Sequence, residues 1–74
     1  MNTKYLIFSS VTYALRSMTL LKRYEIASRL EKIKNIKALG GCGYGLALDE
    51  SVLDFALSVI TKEGIRIIDI LDYK

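Results

Sequence analysis

Ser51-Val52-Leu53-Asp54-Phe55-Ala56-Leu57-Ser58-Val59-Ile60-Thr61-Lys62-Glu63-Gly64-Ile65 carries the start, the body and the stop of one helix. Ser51 can cap its N-terminus, with Asp54 three residues on in the manner of a capping box. Val52, Phe55, Ala56, Val59 and Ile60 recur at helical spacing and predict the buried stripe. Gly64 is the natural residue to leave the helix in a left-handed conformation, and Ile65 is placed to close over the last turn. The same grammar stands earlier in the chain. Ser10 caps a run in which Val11, Ala14, Leu15, Met18 and Leu21 share a face. Lys22 and Arg23 sit at the negative end of that helix dipole. Ile26 follows Leu21 by five residues, as Ile65 follows Ile60.

An apolar segment precedes each helix. Lys4 to Phe8, bounded by Ser9 and Ser10, suits a buried central strand, and Tyr44 to Leu48 puts Tyr44, Leu46 and Leu48 on one strand face with Gly45 and Ala47 on the other. A mixed apolar and charged segment follows each helix, Ile26 to Ile33 and Arg66 to Tyr73, of the kind that discourages an edge strand from pairing with another chain. The order β-α-β-β-α-β predicts one α+β domain over residues 1–74, a ferredoxin-like sandwich whose four-stranded antiparallel sheet carries both helices on one face. The first and third strands then lie in the centre. The other sheet face should be polar, yet Tyr5, Leu6, Ile7 and Phe8 are apolar at both parities and the third strand offers Tyr44, Leu46 and Leu48. That predicts a cover over the open face: a homodimer through the sheet, a ligand or a partner.

The composition, 51% apolar and 26% charged with no proline, belongs to a globular chain. A single cysteine cannot form an intramolecular disulfide, which favours a reducing compartment. Tyr5 to Phe8 is too short for a signal-peptide core, and no segment approaches the apolar length of a membrane span, so the chain is expected to be cytoplasmic and free of the membrane. The absence of histidine removes Cys-His and Ser-His catalysis and the commonest metal ligand, which predicts no metal and no cofactor. Seven bases and two acids lie between Arg16 and Lys37, against three bases and six acids from Asp49 to Lys74. A solvated helix face and an edge strand account for this asymmetry, and an anion patch is the sharper alternative.

Cys42 is the one residue equipped for chemistry. It stands in Gly40-Gly41-Cys42-Gly43-Tyr44-Gly45, which reads as a loop entering the third strand. Glycines at Gly41 and Gly43 would let another molecule approach the sulfur, and Lys34 and Lys37, with loop amides, could stabilise a thiolate if the loop folds back. A lone thiol cannot run a dithiol cycle, but it can accept a sulfur or selenium atom from a donor persulfide and hold it, with no second thiol to discharge it. The competing reading is a small buried hydrophobe.

Lys4-Tyr5-Leu6-Ile7-Phe8-Ser9-Ser10-Val11, Ala14-Leu15, Leu20-Leu21-Lys22 and Cys42-Gly43 entering a strand that ends at Asp49 together resemble the small putative selenium/sulfur carrier protein-like family. The likeness runs over nearly the whole chain. It implies that Cys42 holds a persulfide or perselenide, and that the partners are a cysteine desulfurase or selenium-donor enzyme and an acceptor protein. On that reading the chain is a carrier or accessory protein more than a turnover enzyme. Relatives tend to have prolines before the motif and serines ahead of the cysteine, where this chain has Lys34 to Leu39 and Gly40-Gly41.

Two other classes compete. Gly43-Tyr44-Gly45-Leu46-Ala47 partly matches the RNP1 motif of RNA-recognition domains, but Cys42 stands where a base is expected and Leu46 replaces the second stacking aromatic. That weighs against a nucleic-acid partner. A non-catalytic interaction module, dimerising through its sheet, is the other alternative, since fold alone implies no function.

Overall fold

The computed structural model describes residues 2–72. The elements are β1 (Thr3–Phe8), α1 (Val11–Arg23), β2 (Arg29–Ile36), a 3-10 turn (Lys37–Leu39), β3 (Gly41–Asp49), a second 3-10 turn (Glu50–Val52), α2 (Leu53–Lys62) and β4 (Asp69–Asp72). The strands form one antiparallel sheet in the order β2-β3-β1-β4. This α+β arrangement of four strands and two helices is compatible with a ferredoxin-like sandwich.

Both helices end alike. The Ile26 N–H donates to the Leu21 carbonyl at 3.0 Å and the Glu25 N–H to that of Lys22 at 3.0 Å; Ile65 and Gly64 repeat the pair with Ile60 (3.4 Å) and Thr61 (3.0 Å). These are Schellman closures, each sealed by a buried isoleucine on the last helical turn. Gly64 takes φ 79° at no steric cost, but the equivalent residue of α1 is Glu25 at φ 60°. Glu25→Gly should therefore raise stability by about 1 kcal/mol, read as a shift in the denaturant midpoint, and an unchanged or lower midpoint would contradict the closure described.

Ile26 is spent on that closure, so β2 begins at Arg29 rather than at Ile26 and runs on to Ile36. It does so through a bulge: Ile33 pairs with Gly43 and Ile36 with Gly41, and Asn35 sits at φ 58° between them. One extra residue reverses the alternation, so Ile33 and Ile36 both reach the same sheet face. Ser51 does not cap α2, which starts after Val52 with no side-chain cap; it lies in the 3-10 turn before the helix, and Asp49 caps that turn. Its carboxylate accepts the Ser51 N–H at 3.0 Å and the Ser51 hydroxyl, and these bonds hold its pKa below the usual carboxylate range. β4 is paired only from Asp69, with Ile68 N–H donating to the Ile7 carbonyl at 2.8 Å just before it. Its expected end at Tyr73 lies outside the described residues. Lys4 on β1 meets both Asp72 and Glu50, which ties β4 to the turn before α2 and raises the lysine's pKa.

The main core joins Leu6, Phe8, Leu46 and Leu48 on one sheet face to Ala14 and Leu21 of α1 and Ala56, Val59 and Ile60 of α2. Small residues let α1 lie close to the sheet: Ala14 and Ser17 are fully buried, the Ser17 hydroxyl without a hydrogen-bond partner among the described residues. The expected stripe is rotated accordingly. Val11 and Leu15 stand exposed, and so does Phe55, whose ring meets Tyr24 edge-on at 5.5 Å.

The open face carries its own smaller core of Tyr5, Ile7, Ile36 and Ala47, over which Ile33, Leu39, Ile68 and Leu71 pack. Ile7 is fully buried within the single chain. Tyr44, Leu46 and Leu48, read from the sequence as part of the uncovered apolar surface, point to the helices instead: they pair in register with Phe8, Leu6 and Lys4.

Candidate functional site

Cys42 is the second residue of β3, not a loop residue, and it is exposed. Its neighbours explain the placement. Gly40 ends the 3-10 turn at φ 67°, its N–H donating to the Lys37 carbonyl at 3.2 Å, and Gly41 is already paired with Ile36 across the bulge. By strand alternation Cys42 shares its side of the sheet with Tyr44, and Gly41 and Gly43 share the other. The thiol therefore projects from a paired backbone at the rim of the sheet.

The two glycines flanking Cys42 do different things. A Cβ on Gly41 would meet nothing within 4 Å, so space is open there, on the sheet face opposite the thiol. Gly43 is buried, and a Cβ on it would stand 2.5 Å from Leu39 Cδ1, 2.8 Å from Ile36 Cδ1 and 3.3 Å from the Phe8 carbonyl oxygen. Gly45 is likewise filled, by Ile33 Cδ1 at 2.5 Å and Ile7 Cδ1 at 3.3 Å. Gly43 and Gly45 thus serve packing across the open face and not access to sulfur. The two-residue spacing of Gly41, Gly43 and Gly45 was the available signal, because that spacing lines one face of an extended strand.

Lys34 lies in the last part of β2 and Lys37 opens the 3-10 turn; both are exposed. Among the described residues no hydrogen bond or ion pair joins either lysine to Cys42. Tyr44 packs partly buried against the main core on the helical side. Tyr5 lies on the opposite face and is 8% exposed, so the two rings cannot offer bases a common stacking platform. On that open face the Arg29 guanidinium is bound to the Glu31 carboxylate at 2.6 Å and interacts with Tyr5, and these partners raise its pKa.

Among the described residues no three His, Cys, Asp or Glu side chains come together as metal ligands, and no helix is long and apolar enough to cross a membrane. No protein-family model and no curated protein matches the sequence.

Proposed function

We propose that the chain carries sulfur or selenium on Cys42, and we read its architecture as the ferredoxin-like β-α-β-β-α-β sandwich. The observation that supports this most directly is an exposed thiol near the start of a paired strand. In the transfer step the Cys42 thiolate attacks the outer sulfur of a donor enzyme's cysteine persulfide. The donor's S–S bond breaks, its thiolate leaves, and a new S–S bond forms on Cys42 with no net oxidation or reduction. An acceptor nucleophile then takes the outer atom and returns Cys42 to a thiolate. Neither step calls for a general base on this chain.

Intact mass after incubation with a cysteine desulfurase and free cysteine tests the reading. The expected result is the gain of one sulfur, lost in Cys42→Ala, with that variant keeping the parent's circular dichroism and melting because an exposed side chain contributes little to the core. A native thiol that resists alkylation, or the same gain in Cys42→Ala, would refute it. A second reading, the interaction module that dimerises through its sheet, draws on the half-buried Ile33, Leu39, Ile68 and Leu71. It takes precedence if no chalcogen is taken up while sedimentation shows a dimer.

A further inference from the structure

The large apolar side chains left exposed are Val11, Tyr13, Leu15, Tyr24, Phe55 and Ile70, and all but Ile70 belong to α1, its C-terminal turn or α2. The helical layer, more than the open sheet, is where this chain leaves apolar surface in water. A groove of about 430 Å³ runs along the outer side of α1 toward the end of α2, with Leu15, Leu20 and Ile65 as its apolar lining, Arg16 and Arg23 along its length and Glu63 at one end.

The α1 side of this groove is not charged like an ordinary solvated helix, which carries both signs and closes i,i+4 pairs along its surface; the one acid of the lining, Glu63, comes from beyond α2. No acid occurs between Val11 and Arg23. Among the described residues neither Arg16 nor Arg23 pairs with a carboxylate, as holds for every cation but Lys4 and Arg29, and Arg16 and Arg23 share one side of α1 in the groove. The two arginines are seven residues apart, two turns and about 10 Å along the axis.

We infer that this groove docks an acidic amphipathic helix of a partner protein. Its apolar side chains lie on the exposed Leu15 and the half-buried Leu20, over the buried Ile65 at the floor, and carboxylates two turns apart on its flank meet Arg16 and Arg23. Packing α1 on the α1 of a second copy would bring like charges together, which disfavours self-association here. The recess is concave and takes a ridge of side chains, whereas lipid insertion calls for a protruding apolar face. The site is independent of Cys42 and stands whether or not the thiol carries chalcogen.

The probe is a blocked peptide of about four helical turns, with leucines on one face and glutamates two turns apart on its flanks, titrated into the isotope-labelled full chain and followed by amide chemical shifts. Saturable shifts should map to 15–23 and 63–65. The double variant Arg16→Glu, Arg23→Glu should bind at least about tenfold more weakly and should prefer the matching lysine peptide. Because exposed substitutions perturb folding little, Arg16→Gln with Arg23→Gln serves as a milder variant of intermediate affinity. Any of four results would overturn the inference: no shifts at millimolar peptide, shifts centred on the open sheet face, equal binding of the lysine peptide, or binding to phosphatidylserine vesicles that the glutamate peptide does not displace.

Discussion

Leu46→Glu should leave the chain unfolded, not merely dissociated. Leu46 has no exposed surface, and it faces Leu6 and Leu30 across the sheet under both helices. Removing its side chain alone costs about 2–5 kcal/mol. An unpaired carboxylate at the same place adds several kcal/mol more, either as desolvated charge or as the work of protonating it. Domains hold roughly 0.05–0.15 kcal/mol of stability per residue, about 4–11 kcal/mol for 74 residues. The substitution removes most or all of that reserve. Far-ultraviolet circular dichroism with sedimentation separates the outcomes: lost secondary structure is expected, and a folded monomer would mean that Leu46 lies on an exposed interface, as the sequence by itself suggested.

Gly43→Ala carries the next largest effect, and Gly41→Ala is its control. One added methyl at Gly43 overlaps the ends of Leu39 and Ile36, which can swing aside, and crowds the Phe8 carbonyl, which must shift by a few tenths of an ångström. Overpacking of this kind costs about 1–3 kcal/mol. The same methyl at Gly41 meets nothing, and its backbone has no positive φ, so little change is expected there. Leu39→Ala in the Gly43→Ala background should recover part of the loss, a coupling that denaturant midpoints of the two single variants and the double variant measure. Equal effects at Gly41 and Gly43, or no coupling to Leu39, would show that Gly43 is not the seat on which the 3-10 turn rests.

Local signals were legible in the chain wherever local chemistry decides. Ser10 does cap α1, accepting the Tyr13 N–H at 3.4 Å, and Ile26 and Ile65 close the two helices as their five-residue spacing from Leu21 and Ile60 implied. These features involve neighbours within one turn, so side-chain hydrogen bonding and backbone preference are enough to specify them. Which way each strand faces, and what the glycines are for, belonged to the tertiary structure. β1 is apolar at both parities, and only its pairing with β3 shows that Leu6 and Phe8 meet the helices while Tyr5 and Ile7 meet the smaller core. Cys42 follows the same rule: the bulge at Asn35 turns Ile36 onto the open face, Ile36 and Leu39 fill the space over Gly43, and the thiol two residues after the left-handed Gly40 is left exposed on a paired strand. A one-residue change of register would send every side chain of the strand to the other face, and register is set by contacts between distant segments that no local stretch of sequence contains.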